Sequence, residues 1–177
     1  MPQVACLRAL RQVGTVPVTR NLEATLLALA PALAAARHPW WILGSTAVLL
    51  QGADPQEVAD VDVLLDRRDC EAVLGQLGLE LSPGQGNAQF RSAVFNRWNG
   101  ASLPVELFAG FCLCEDGVWC EIVPQTRIAA SLGGVQVFVP DRAELIALLR
   151  RFGRAKDQRR IEALSRTGPS PSRSGSV

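Results

Sequence analysis

Val58-Ala59-Asp60-Val61-Asp62-Val63-Leu64-Leu65 reads as a strand with an acidic pair set in strict alternation. On a strand, Asp60 and Asp62 leave the same face about 7 Å apart, and Val61 and Val63 take the other. Two carboxylates held together repel each other and gain nothing from packing. The pair is therefore either the solvated outer face of an edge strand or a site for a cation or basic partner. Magnesium suits such a pair, because it takes one or two protein carboxylates and completes its shell with phosphate oxygens and water.

The flanking segments favour the second possibility. Upstream, Trp40-Trp41-Ile42-Leu43 is a short apolar run of buried-strand type that ends at Gly44-Ser45, immediately before a helix. Glycine lets backbone approach a ligand closely, Ser45 adds a hydroxyl, and backbone N–H groups at a helix start attract phosphate. Alone, the dipeptide is equally a tight strand-to-helix turn. Downstream, Pro104-Val105-Glu106-Leu107-Phe108 is a strand with a single acid. Alone, Glu106 reads as a surface residue; on a strand beside the Asp pair it becomes a third carboxylate. Three such acids hold metal and activate a hydroxyl in phosphoryl or nucleotidyl transfer.

The rest of the chain supplies a scaffold. Asn21 is placed to cap a helix over about Leu22 to Arg37, which His38-Pro39 breaks. Thr46 to Gln51 and Arg68 to Leu77 read as helices. Phe90 to Phe95 and Leu103 to Cys114 read as strands joined by a loop carrying Asn99-Gly100, a favoured hairpin turn pair, with further strands at Trp119 to Val123 and Val135 to Val139. Asp141 to Arg151, with Leu145, Ile146, Leu148 and Leu149, reads as a helix, and another starts near Lys156 and runs through Ile161 to Leu164. That order gives an α+β (α/β-like) class: a mixed β-sheet flanked by helices. A single domain over residues 1–166 is expected, with 167–177, all Ser, Pro, Gly, Arg, Thr and Val, as a disordered tail.

Composition excludes several classes. With 177 residues, 48% apolar and 20% charged, the chain is long enough to bury a core without disulfides or structural metal. A formal net charge of +1 gives no global argument for nucleic acid or membrane. The five cysteines are scattered and odd in number, and no signal-like order occupies the first dozen residues, so reduced thiols in a cytoplasm are expected. Cys112, Cys114 and Cys120 lack paired zinc spacing and read as strand thiols. Leu22 to Ala36 is apolar but too short to span a bilayer.

Taken together, Leu43-Gly44-Ser45, Asp60-Val61-Asp62-Val63 and Glu106 resemble the signature of the nucleotidyltransferase superfamily related to DNA polymerase β. The chain looks most like the small stand-alone bacterial members grouped with abortive-infection toxins and minimal nucleotidyltransferases, which share the apolar first helix and a late Gly153-Arg154-Ala155-Lys156-Asp157. The resemblance covers about Leu22 to Leu164. It implies a nucleotidyltransferase fold and transfer of a nucleoside monophosphate from an NTP to a hydroxyl of a small molecule, a tRNA or a protein, releasing pyrophosphate. It also implies roles. Gly44, Ser45, Arg154 and Lys156 would hold the nucleotide phosphates, Asp60, Asp62 and Glu106 would bind Mg2+, and Glu106 would be the general base. An antitoxin or small helical protein is an expected partner type. Two positions depart from the pattern: Leu149 stands where relatives often carry a lysine, and Arg159-Arg160 where they often carry a second aspartate. A nucleotide- or partner-binding module without turnover is the alternative, and the basic run from Arg150 to Arg160 admits an RNA-contacting stripe.

Overall fold

A computed structural model describes residues 16–167, with side chains from residue 19. The tail expected beyond Thr167, and Cys6, lie outside the described residues.

The long apolar helix comes first. Helix α1, Val16–Leu33, starts before the expected cap. Leu22, Leu26, Leu29 and Leu33 are all buried, a spacing that keeps one helical stripe on the core. Asn21 thus lies within the helix, on its exposed side; its carbonyl accepts a bond from the Thr25 hydroxyl (2.8 Å), which itself accepts from the Leu103 amide (2.9 Å). Strand β1, Trp41–Leu43, and helix α2, Gly44–Leu50, follow. Strand β2 is Val61–Leu65, and after a 3-10 turn at Arg67–Asp69 comes α3, Cys70–Gln76.

The second half is mostly strand: β3 Phe90–Arg91, β4 Val94–Trp98, β5 Val105–Ala109, β6 Cys112–Glu115, β7 Val118–Glu121, β8 Ile128–Leu132 and β9 Val135–Val139. Helices α4, Arg142–Phe152, and α5, Ala155–Arg166, close the chain. The fold is α+β, and its main sheet is mixed, in the order β1-β2-β5-β4. Strands β2 and β5 run parallel, and β1 and β4 lie antiparallel on the outside.

Several expected boundaries move. Asp60 precedes β2, because the Val61 amide bonds to the Pro104 carbonyl (3.0 Å) as the first rung of pairing with β5. The run Leu103 to Cys114 is two strands separated at Gly110, whose φ of 59° turns the chain from the main sheet into the β3-β6-β7 sheet. Phe90 to Phe95 likewise divides between two sheets. Strands β4 and β5 are antiparallel neighbours, joined by a loop over residues 99–104 that carries Asn99-Gly100 as expected. Strand β8 has most of its side chains exposed, so no apolar alternation announces it.

The main core lies between one face of the sheet and the helices. Val61, Val63, Val105, Leu107 and Ala109 point into it together with Leu22, Leu74, Leu145 and Leu149. A smaller apolar cluster of Trp41, Leu43, Leu64 and Phe108, with Phe95 and Phe111 against it, covers part of the opposite face. Among the described residues no helix is long and apolar enough to cross a membrane. Register also separates the strand thiols: Cys120 pairs with Leu113, so it faces away from Cys112 and Cys114.

Candidate active site

Alternation along four registered strands builds the site. Leu43 of β1 pairs with Asp62, and Asp62 pairs with Glu106 of β5. Glu106 pairs in turn with Arg97 of β4. Val61 and Val63 face the core, so Asp62 and Glu106 emerge side by side on the opposite face, beside the smaller aromatic cluster. Asp60 reaches the same region from the approach to β2, where its carbonyl accepts the buried Thr46 hydroxyl at 3.1 Å.

Gly44 fixes the contact between helix and acid. It opens α2 with a φ of 63°, and a Cβ there would stand 2.1 Å from Oδ2 of Asp62. Both the left-handed backbone and the absent side chain are needed for the helix start to lie on the carboxylate.

Two cavities share the residues of this junction. One, of about 340 Å³, is lined by Gly44, Asp62, Glu106 and Arg154 together with five phenylalanines. The other, of about 260 Å³, is lined by Ser45, Asp60, Lys156, Arg159 and Arg160. The seven residues singled out in the sequence therefore divide between them: Gly44, Asp62, Glu106 and Arg154 in the first, Ser45, Asp60 and Lys156 in the second.

Charge shows how the acids are coupled. Burial pushes the Asp62 carboxyl up to about 7, the neighbouring charges of Asp60 and Glu106 push the same way, and Arg160 and Lys156 oppose them. Glu106 is also raised, by burial first and by Asp60 second, against the pull of Arg97 and Lys156. Glu106 Oε1 accepts from Arg97 Nη1 at 3.0 Å in a partly exposed cross-strand pair. Among the described residues no three His, Cys, Asp or Glu side chains stand as a ready-made metal cage. The donor set nevertheless fits magnesium: all-oxygen ligands, mutual repulsion unrelieved by an adjacent ion pair at Asp62, and backbone pressed close at Gly44.

The two departures from the family pattern have structural explanations. Leu149 is 1% exposed in the core, so that position on α4 offers nothing to the site. Arg151 on the same helix pairs with Glu115 instead (2.6 Å). The cations come from α5: Lys156 and Arg160 act on the acids electrostatically. Sequence reasoning missed the part played by Asp157. It is fully buried, accepts from Arg154 at 2.7 and 3.1 Å and from Arg160 at 3.5 Å, and so fixes both arginines at the start of α5. The Arg154 guanidinium also lies 5.1 Å from the centre of the Phe90 ring and 5.5 Å from that of Phe152. The aromatic wall was missed as well, since its members are scattered from Phe90 to Phe152 without a motif.

No protein-family model and no curated protein matches the sequence. Solved structures do match. A Thermotoga maritima protein assigned to the nucleotidyltransferases superimposes with a TM-score of 0.58 at 22% identity, covering 78% of this chain and 88% of the other. The antibiotic-resistance factor ANT(2'')-Ia gives 0.51 at 15% identity over 79% and 80%. The lincosamide antibiotic adenylyltransferase LnuA, in its lincomycin-bound form, gives 0.51 at 11% identity over 80% and 93%. At these identities the likeness speaks for architecture, and the chain has the nucleotidyltransferase fold.

Proposed function

We propose that the protein transfers a nucleoside monophosphate from an NTP to a hydroxyl acceptor in a magnesium-dependent reaction. The observation that carries the proposal is the registered pairing of Asp62 with Glu106 beside Gly44, with Asp60 one residue before the same strand. Clustered carboxylates are costly in an apo fold and have an evident use when a cation and a triphosphate share the site.

Asp60, Asp62 and Glu106 would hold Mg2+, which when bound neutralises phosphate charge and orients the reacting groups. Ser45, Lys156 and Arg160 line the smaller cavity and suit the triphosphate, with Lys156 and Arg160 balancing its charge. Glu106 accepts the proton of the acceptor hydroxyl. The acceptor oxygen forms a bond to the α-phosphorus as the α–β bridging bond breaks, and pyrophosphate leaves with that electron pair. Asp157 positions Arg154 and Arg160 without touching substrate.

A second reading, a nucleotide-binding module without turnover, is favoured by Arg160 alone. Fixed cationic charge near Asp60 and Asp62 lessens their need for metal. Incubation with α-labelled NTP, magnesium and hydroxyl acceptors separates the two readings. The transferase reading expects label on an acceptor with stoichiometric pyrophosphate, abolished by Glu106→Gln. Nucleotide binding with no pyrophosphate from any acceptor selects the module.

A further inference from the structure

The larger cavity is aromatic to an unusual degree. Phe90, Phe95, Phe108, Phe111 and Phe152 line it, leaving only Phe138 of the chain's six phenylalanines elsewhere. The rings form one connected wall. Phe90 stacks on Phe111 at 5.7 Å, and Phe111 meets Phe108 edge-on at 5.2 Å and Phe152 at 6.0 Å. Phe95 stands on β4 directly opposite Phe108. They come from four strands or loops and one helix, and Phe90, Phe95 and Phe111 are only half-buried. These three rings are therefore partly exposed where they line the cavity.

In-line transfer decides which substrate enters here. The attacking hydroxyl and the departing pyrophosphate lie on opposite sides of the α-phosphorus. The two cavities divide the Gly44–Ser45 and Asp60–Asp62 junction between them, Gly44 and Asp62 lining the larger and Ser45 and Asp60 the smaller. The smaller holds Lys156, Arg159 and Arg160, which suit the leaving phosphates. The larger opens on Glu106, the group that takes the hydroxyl proton. Resting on the transferase reading above, we infer that the larger cavity is the acceptor site and that its acceptor is a small, neutral alcohol built on an aromatic or apolar ring system.

Charge narrows the class. The carboxylates on this wall are Asp62 and Glu106, both committed to the reaction centre, and Arg91 and Arg154 stand on the same wall. Nothing there offers surplus negative charge to a polycationic acceptor. At about 340 Å³ the cavity lies at the small end of the range for drug-sized ligands. Gln85 and Asn87 on its exposed lip supply polar contacts for the acceptor's remaining oxygens.

The test compares 2-naphthylmethanol, a neutral ring alcohol, with tobramycin, a polycation, and with a bulk tRNA preparation. Binding is measured by calorimetry with and without ATP and magnesium, and label transfer from α-labelled ATP is followed in parallel. The expected result is saturable binding of 2-naphthylmethanol and label transfer to it, with neither for tobramycin or tRNA. Phe95→Ala, at a half-buried position, should weaken the alcohol about tenfold, the scale of one lost aromatic contact, while ATP affinity stays within about threefold. Should Phe95→Ala disturb folding, Asn87→Ala on the exposed lip replaces it, with the same direction expected.

Loss of ATP affinity in place of alcohol affinity would assign the cavity to the nucleobase and overturn the inference. Labelling of tobramycin or tRNA but not of the alcohol would overturn it too. Absence of ATP binding altogether is a different outcome: it removes the transferase reading on which this inference rests.

Discussion

Gly44 and Asp62 occupy each other's space: a methyl group on Gly44 would sit 2.1 Å from the Asp62 carboxylate. The helix that brings Ser45 to the site can start where it does only because residue 44 has no side chain, and Asp62 can point where it does for the same reason. Gly44→Ala should therefore displace the acid as well as strain a backbone with φ of 63°. The expected loss is about 1–3 kcal/mol of stability, read as a lower denaturation midpoint. Magnesium-dependent nucleotide binding should fall by far more than that change implies.

Asp62 makes the metal-free protein pH-sensitive. Its carboxyl sits at about 7 in the fold against 3.8 for the free side chain, so between those values the folded state holds a proton that the unfolded chain lacks. Stability of the metal-free protein should accordingly be fully present below about pH 4 for this group and decline as pH rises towards 7. Asp62→Asn should flatten that slope and raise Tm at pH 8 by about 2–4 °C. Magnesium with nucleotide should remove much of the same slope in the native protein. Thermal melts at pH 5, 6, 7 and 8 check all three statements.

Asp157 anchors α5 from a fully buried position between Arg154 and Arg160. Removing it with Asp157→Ala leaves two arginines without their carboxylate and should cost about 3–5 kcal/mol, as for other buried pairs broken from one side. Arg160→Gln is the gentler probe. It should keep the fold and weaken ATP much more than AMP, because the lost charge lines the cavity proposed for the triphosphate. Equal weakening of both nucleotides would place Arg160 elsewhere in the mechanism.

Glu144 tests the scaffold apart from the chemistry. It caps a connection by accepting from the amides of Gln125 (2.6 Å) and Thr126 (2.7 Å) and from the Thr126 hydroxyl. Burial pushes its carboxyl up, but these bonds outweigh burial and hold it below the usual range. Its stabilising effect is thus present above the ordinary glutamate value and lost as pH falls through the lower folded one. Glu144→Gln should lower Tm at pH 7 and leave nucleotide affinity unchanged, as melts and titrations on one preparation would show.

The acid strand and its glycine partner were legible because both obey short-range rules. Val61 and Val63 alternate with the acids, and Gly44 marks a turn that other residues resist. Register was not legible: that Asp62 lies opposite Glu106, forty-four positions later, follows from direct parallel pairing of β2 with β5, with α3, β3 and β4 between them in the chain. Asp60 fell outside its expected strand because the ladder begins where Val61 meets Pro104, a long-range fact. The aromatic cavity was invisible for a similar reason, since Phe90, Phe111 and Phe152 share no periodicity and meet only after two sheets and helix α4 are assembled. The cation at Arg160 was read as a departure, and its relation to Asp157 required the helix to be seen packed.

The central claim is that Asp60, Asp62 and Glu106 form a magnesium–nucleotide site. Calorimetric titration of ATP, GTP, CTP and UTP, with and without magnesium, into the native protein and into Asp60→Asn/Asp62→Asn tests it most directly. The account predicts magnesium-dependent binding of at least one nucleotide to the native protein and its loss in a double variant that remains folded. Failure of every nucleotide to bind the folded native protein, or binding that the double variant retains, would contradict it.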